Sequence, residues 1–372
     1  MSKILSIAWY NILPPKFGGQ KGIALFTKHL ARFHDIVMLC SKNNQPSHQP
    51  FEVRAELPVS KTQFLNPFSW RKITTIAQEV NPAFIVIEHP YHGIAGRRAS
   101  RRTGAKLIVH SHNIESQRFK QLGKWWWRIL SSYEKWTHRH ADLNLFKTQA
   151  DLDWAVNHFQ LDKKKCIVIP YGIETKPAIN KQQATTIIRN LHGLTTEKIL
   201  LFAGTLDYKP NADAVEKIVK QIAPALEEMG PAKFKIIICG RGNLKDFRNK
   251  FKHPAVIYAG EVDDIENYFA AADIFLDPVT VGGGIQTKII EALSYDLDVI
   301  CFERMIDGML ASLAAGKLFL CKEGQVDEMI MKIVQRMAVN ENNQPVAIEF
   351  LEYYNWANIV KRLNEKLIAI YE

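Results

Sequence analysis

Short apolar runs alternate with stretches of helical spacing along most of the 372 residues. That is the pattern of a parallel sheet whose strands are joined by crossover helices. In the first half the runs predict strands at residues 4–10, 35–40, 83–88, 105–110, 143–146 and 166–170. A Gly- and Pro-rich loop over 13–22 follows the first of them. A helix comes next, with Leu25, Phe26, His29, Leu30 and Phe33 at helical spacing. After residue 170 the pattern breaks: 175–197 is mainly polar apart from a turn at 187–194, and reads as a linker. The second half then restarts the same way. A strand over 198–203 runs into Gly204 and a loop ending at Asn211, which is placed to cap a helix carrying Val215, Ile218, Val219, Ile222 and Leu226 on one face. Further strands are predicted at 235–239, 256–258 and 273–276, with a helix over 265–271. Trp356, Ile359, Val360, Leu363 and Leu367 close the chain as an amphipathic helix. Two α/β domains follow, doubly wound and Rossmann-like: residues 1–172 and 198–350, joined by a linker region at 173–197 and followed by a closing helix at 351–372. Ligands of such sheets bind beyond the C-terminal strand ends, here in a cleft between the two domains.

One stretch changes the picture from fold to chemistry. At 274–276 an apolar run ends, and Asp277 leads into Gly282, Gly283 and Gly284, which keep side chains away from an approaching anion. From Thr287 the spacing turns helical, with Ile289, Ile290 and Leu293 on the apolar face. A glycine loop opening onto a helix N-terminus is an anion cradle, since free N–H groups and the helix dipole both face the ligand. Lys288 and Glu291 share a face just behind it. The cation suits a phosphate and the carboxylate suits the paired hydroxyls of a ribose, so a nucleoside diphosphate fits. A plain tight turn before a helix is the alternative reading.

Composition narrows the class. With 47% apolar and 23% charged residues the chain is an ordinary globular one. No apolar run approaches the ~18–20 residues of a membrane span. The first ten residues turn polar too quickly for a signal peptide and read as a strand. Five cysteines, each in or beside an apolar run, read as buried thiols of a reducing cytoplasm. No metal-ligand spacing is present. The net charge of +10 is uneven: residues 1–180 hold 26 Lys and Arg against 12 Asp and Glu, and the remainder 22 against 26. A basic first domain could meet nucleic acid, anionic lipid or an acidic substrate. Arg97, Arg98, Arg101 and Arg102, with Trp125, Trp126, Trp127 and Arg128, suit an anionic membrane surface. The other reading packs some of those Trp residues into the core and leaves the Arg residues as a solvated face. No nucleic-acid-binding motif accompanies the charge.

Several motifs in order carry a family resemblance. Phe202-Ala-Gly-Thr-Leu-Asp-Tyr-Lys-Pro-Asn211, Gly260-Glu-Val262, residues 273–278 and residues 282–292 resemble retaining glycosyltransferases of family 4, with the GT-B fold. Lys16-Phe-Gly-Gly19, His110-Ser-His-Asn-Ile-Glu115 and Ile169-Pro-Tyr-Gly-Ile173 resemble the same family in the first half. The resemblance implies an acceptor-side first domain, a nucleotide-sugar donor domain, and a closing helix packed back on the first. Glu291 matches the glutamate that binds the nucleotide ribose. The Gly282–Gly284 loop, with Gly283 and Gly284, and Lys209 would hold the donor diphosphate, with Lys288 or Arg241 substituting for the missing half of the family's basic pair. Gly204 is a further donor-binding position, and backbone around Val262 would read the base. His112 matches the histidine beside the transferred sugar, the catalytic position, and Gly19 the loop glycine near the leaving phosphate. No metal and no cofactor are implied; cations and helix N-termini offset the leaving-group charge.

This chain departs from the family pattern at three places. Gly283 stands where the family has its first paired glutamate, Lys209 alone remains of a basic pair, and Asp296 stands where the helix usually ends in glycine. The implied activity is transfer, with retention, of a sugar from a nucleotide-diphospho-sugar to a glycan or lipid-linked acceptor in cell-surface polysaccharide or glycolipid synthesis. The expected setting is cytoplasmic, peripheral on the inner face of the membrane. A nucleotide-sugar-binding protein without turnover and a GT-B sugar-nucleotide epimerase are the alternatives.

Overall fold

In the computed structural model the described residues are all except 1, 16–17, 46–47, 61, 175–178, 231, 282–285, 315, 340–344 and 372, and the side chains of Leu244 and Lys245. The apolar runs form two parallel sheets. The first contains β1 (Lys3–Ile7), β2 (Asp35–Ser41), β3 (Glu52–Leu57), β4 (Phe84–Glu88), β5 (Lys106–His110), β6 (Leu143–Phe146) and β7 (Cys166–Val168), in the order β3-β2-β1-β4-β5-β6-β7. The second contains β8 (Lys198–Ala203), β9 (Phe234–Cys239), β10 (Val256–Gly260), β11 (Ile274–Asp277), β12 (Asp298–Phe302) and β13 (Leu318–Cys321), in the order β10-β9-β8-β11-β12-β13. Helices cover both faces, so β4, β11 and β12 are buried along their whole length and read as continuous apolar runs.

Both orders are doubly wound. The chain moves outward from the first strand and then crosses to its other side, so β1 pairs with both β2 and β4, and β8 with both β9 and β11. At that reversal the connections leave in opposite directions and open a crevice at the C-terminal strand ends. Each sheet therefore has one crevice set by topology alone: beyond β1 and β4 in the first, beyond β8 and β11 in the second.

The chain divides into two compact units, Met1–Gly172 with Tyr354–Glu372, and Ile173–Tyr353. The closing helix Trp356–Tyr371 is part of the first. Trp356 is fully buried, with its ring 5.9 Å from that of Tyr171 and 6.4 Å from Phe26. A Cβ at Gly172 would lie 2.4 Å from the Trp356 indole, so this approach requires glycine.

Three expectations need correction. Residues 173–197 are not a bare linker. They hold the helix Lys181–His192, capped by the Asn180 side chain and ended by Gly193 in the left-handed region. It packs on the helix Ile265–Ala271, and His192 Nε2 lies 3.1 Å from the Tyr268 hydroxyl. Only Ala184 and Ile188 are buried, too few to stand out from a polar background. Asn211 does not cap its helix, which begins at Lys209; its amide turns back to the Thr205 carbonyl at 2.9 Å. The strands β3, β12 and β13 were not anticipated. β3 is a half-buried edge strand with two glutamates and an arginine, and such alternation carries little apolar signal. Among the described residues no helix is long and apolar enough to cross a membrane.

Candidate active site

The first crevice is built from ionisable side chains placed by strand ends. Glu88 is the last residue of β4 and His110 the last of β5; His112 follows two residues later. Glu88 is fully buried, and its Oε2 lies 2.7 Å from His112 Nε2 and 2.9 Å from His110 Nδ1. On its far side, His110 Nε2 lies 2.8 Å from the ammonium of buried Lys147. These contacts fix the protons. An ammonium can only donate, so His110 Nε2 accepts and the ring proton sits on Nδ1, facing Glu88 off the line of a full hydrogen bond. Burial, helped by the Lys147 charge, holds His110 well below the ordinary histidine range. Burial does the same to His112, with His110, His89 and Lys147 adding to it and the Glu88 hydrogen bond opposing. Both rings are neutral at neutral pH. His112 then gives its Nε2–H to Glu88, and Nδ1 is left as an acceptor with no bonded partner among the described residues. Glu88 Oε1 is likewise buried and without a hydrogen-bond partner among them. Burial pulls Lys147 down to about 8, against the pull of Glu88.

A second set of contacts holds this relay in place. His89, directly after β4, has φ of 67°, a strained value for a residue with a Cβ, and such strain clusters at functional sites. Its ring stacks on His112 at 4.4 Å, and its Nδ1 lies 3.3 Å from Glu115 Oε1. Glu115 also accepts from the Tyr91 hydroxyl at 2.7 Å and from Arg118 at 2.8 Å. Burial alone would raise the Glu115 carboxyl, but His89, Arg118 and Tyr91 together hold it down at about 2. The buried Glu134 carboxylate accepts the backbone N–H groups of Glu115 and Ser116, which open the helix Glu115–Gln121. Burial raises Glu134 to about 7 despite those bonds.

Glu88, His110 and His112 bring three metal-ligand atoms within 4.8 Å of one another, although sequence spacing gave no sign of it. Their separations of 2.7 and 2.9 Å are hydrogen-bond lengths, and a cation there would meet the Lys147 ammonium. The arrangement as built is a proton-positioning relay. Of its members the sequence reading singled out only His112. Glu88, His89 and Lys147 went unmarked, although Glu88-His89 directly ends an apolar run, the kind of signal that could have found them. Gly19 lies exposed in the first turn of the helix Gly18–Leu30, where a Cβ would come 3.6 Å from the Tyr10 hydroxyl. That is an ordinary contact, so packing does not demand glycine there.

The second crevice is built from backbone. Gly204 follows β8, and a Cβ there would meet the Asn211 amide at 2.8 Å. Gly240 has φ of 151°, and a Cβ on it would come 1.8 Å from the Gly204 carbonyl oxygen, so the loops after β8 and β9 touch through glycine. Leu206 N–H donates to the Arg241 carbonyl at 2.8 Å and Gly240 N–H to the Gly260 carbonyl at 2.7 Å. Val262 lies half-buried just past β10, and Arg241 is exposed. Lys209 opens the helix Lys209–Lys217 with its side chain 85% exposed, 3.8 Å from Asp213.

Lys288 differs from the expectation of a phosphate-facing cation. Its ammonium lies 2.7 Å from the fully buried Asp277 carboxylate and 4.8 Å over the Phe202 ring. Asp277 ends β11, where burial raises its pKa and Lys288 opposes the rise. A buried carboxylate at a strand end needs a cation, and Lys288, in the first turn of the helix Thr287–Ser294, supplies it. Glu291 is half-buried one turn further on. Asp296 adopts the left-handed conformation read for it, with φ of 58°, and its carboxylate accepts the Val346 N–H at 2.7 Å. Gly283 and Gly284 lie outside the described residues.

Comparison with known proteins matches both units. Residues 18–176 match the model for Glycosyltransferase Family 4, and residues 197–338 the model for Glycosyl transferases group 1. A chitobiosyldiphosphodolichol beta-mannosyltransferase of Debaryomyces hansenii is 27% identical over 224 residues, covering 54% of this chain and 47% of that protein. The matched region spans about half the length of the curated relatives. A glycosyltransferase of Rickettsia africae superposes with a TM-score of 0.75 at 13% identity, over 100% of this chain and 99% of that one. Anabaena HepE in complex with UDP-glucose superposes with 0.72 at 16% identity, over 99% and 100%. With family models matched over both doubly wound units and the fold shared along its whole length, the chain belongs to the family 4 glycosyltransferases of the GT-B fold.

Proposed function

We propose that the protein transfers a hexose, with retention of anomeric configuration, from a nucleotide-diphospho-sugar to a glycan or lipid-linked acceptor. The observation that carries the reading is the Glu88–His112 relay at the crevice of the first sheet. A buried carboxylate holds a neutral histidine in one tautomer and leaves its Nδ1 as an acceptor for a sugar hydroxyl. In the second unit, Lys209 and the backbone amides of the Gly282–Gly284 loop would offset the diphosphate, and Glu291 would hold the ribose hydroxyls. In the step itself the bond from the anomeric carbon to the diphosphate oxygen breaks. The acceptor oxygen bonds to the same face of that carbon, and its proton passes to the departing phosphate oxygen. No group on the protein has to exchange a proton, which suits a histidine kept neutral by burial.

The relatives support the donor and acceptor classes. HepE was crystallised with UDP-glucose, and the Debaryomyces hansenii relative is named for a lipid-diphosphate acceptor. A lipid-linked acceptor would put the protein in the cytoplasm against the inner membrane face. The test is nucleotide release from a panel of UDP-, GDP-, ADP- and dTDP-sugars with membrane extract, followed by NMR of the product's anomeric proton. One donor releasing nucleotide only with acceptor, with its anomeric configuration kept, is the expected result. Release with no acceptor product would remove the transferase reading. An inverted product, as the relative's beta-mannosyl name makes worth checking, would remove retention alone.

A further inference from the structure

The most aromatic segment of the chain is left on the surface of the first unit. The helices Glu115–Gln121 and Trp127–Arg139 are joined by a turn, and the second of them buries Leu130, Glu134, Thr137 and His138. Leu122, Trp125 and Ile129 stay outside, 57%, 80% and 66% exposed. Three large apolar side chains within eight residues are a patch rather than scattered exposure. Their surroundings are uniformly basic: residues 117–133 contain Arg118, Lys120, Lys124 and Arg128 and no Asp or Glu. The cations run along aromatic faces, with Lys120 Nζ 4.9 Å and the Arg128 guanidinium 5.5 Å from the Trp127 ring centroid. Lys120 and Trp127 also line an open groove of about 790 Å³ with Gln117, Gln121, Lys135 and Trp154, and no carboxylate lines it.

Charge selects the occupant. An apolar trio alone would suit a protein partner, but protein interfaces gather charge at the rim in both signs and deplete it at the centre. Exposed Trp, Leu and Ile interleaved with cations of one sign are what a membrane–water interface takes: the apolar groups enter the acyl boundary and the cations meet phosphates. The other basic run, on the helix Gly93–Thr103, exposes Arg98, Arg101 and Arg102, and that helix carries no large exposed apolar side chain of its own. It can add attraction but has nothing to insert. We propose that the face formed by residues 117–133 docks on an anionic bilayer, with Leu122, Trp125 and Ile129 inserted and the adjoining groove receiving a phosphate-bearing lipid head group. This gives the lipid-linked acceptor reading its surface, yet docking requires no turnover.

The experiment is co-sedimentation of the full chain with vesicles of phosphatidylcholine, with and without phosphatidylglycerol, at rising salt. Binding is expected to phosphatidylglycerol vesicles alone and to weaken with salt. Lys124→Ala and Arg128→Ala should each weaken it about fivefold, and Trp125→Ser with Ile129→Ser at least tenfold, with melting temperature unchanged. Brominated lipid should quench the wild-type fluorescence more than that of Trp125→Phe, a variant that keeps the aromatic packing. Equal binding to neutral vesicles, wild-type binding by Trp125→Ser/Ile129→Ser, or identical quenching of Trp125→Phe would each overturn the proposal. Nucleotide release measured on the same samples separates it from the transferase reading. Vesicle binding without turnover removes only the transferase, and turnover without vesicle binding removes only the docking face. Competition by inorganic phosphate tells a head-group site from bulk attraction: loss of binding at constant ionic strength places the phosphate in the groove, and no loss removes the groove from the proposal.

Discussion

The two sheets share one winding order and differ in what fills their crevices. In the first unit the strand ends deliver side chains: Glu88, His110 and Lys147 are all buried, and His112 and His89 nearly so. In the second they deliver backbone, with Gly204 and Gly240 in contact and the exposed charge confined to residues such as Lys209 and Arg241. Ten of the twelve histidines and all eight tryptophans belong to the first unit. Topology therefore decides where a site lies, and the residues at the strand ends decide whether it works by positioned side chains or by amides and shape. A backbone site tolerates surface change. A side-chain site buried this deeply ties its chemistry to the stability of its own unit.

The largest effect should come where the second crevice resembles the first, at the buried pair Asp277–Lys288. Asp277→Ala leaves the Lys288 ammonium, 14% exposed, without its partner, and should cost about 3–5 kcal/mol. Calorimetry reads it as a lowered melting transition for the second unit. Removing both charges, as Asp277→Ala with Lys288→Met, should recover most of the loss. If the single variant melts within a degree or so of wild type, the pair is not what holds the end of β11.

Acid should separate the units next. Burial pushes His92 and His138 down to about 4 from an unfolded value near 6.5, and holds His110 and His112 well below it. A depressed histidine contributes stability that is full above pH 6.5 and lost as pH falls through its folded value, about 3 kcal/mol each for His92 and His138. Glu134, raised by burial to about 7, works the other way between pH 4.5 and 7, and Asp151 is raised by burial too, but these are two carboxyls against five histidines, since burial also lowers His34. Tryptophan fluorescence reports the first unit alone, and it should show unfolding between pH 6 and 4 while amide exchange still protects the second sheet. Simultaneous loss of both signals would mean the contrast in buried titratable groups does not set acid stability.

How much of this could be read in the sequence follows the same contrast. Backbone sites are the easier to notice: Gly204 stood out where an apolar run ends, and the left-handed position of Asp296 followed from the family pattern, in which that helix ends in glycine. Buried side-chain relays do not. His112 stood out only through the family motif, and Glu88 looked like the polar end of an apolar run. Lys147 lies 35 residues from His112 along the chain, and only the β5–β6 pairing brings their strand ends side by side. Lys288 was legible as a cation behind a glycine loop, but its partner Asp277, eleven residues earlier, turned it inward. The helix Lys181–His192 was lost because two buried positions do not make a visible period.

A sharper test of the side-chain site is the His112 tautomer. His112→Ala should lower kcat about a hundredfold, the scale of a lost positioning contact. Glu88→Gln should approach it, because an amide no longer favours Nε2–H over Nδ1–H on the ring. Nitrogen chemical shifts of His112 read the tautomer independently of activity. A Glu88→Gln protein that keeps both its kcat and the Nε2–H form would take Glu88 out of the mechanism.

The smallest effect should fall on the backbone site. Lys209 is 85% exposed and its link to Asp213, at 3.8 Å, is loose, so its charge is well screened. Lys209→Ala should leave the melting temperature unchanged and raise the donor KM by up to about fivefold with kcat kept. That effect should shrink as salt rises, because an exposed cation facing a diphosphate acts through solvent. A kcat loss as deep as that of His112→Ala would mean that Lys209 touches the leaving oxygen in the transition state. Charge on the surface of the second unit would then matter as much as charge buried in the first, and the division between a side-chain crevice and a backbone crevice would fail at the step where it counts.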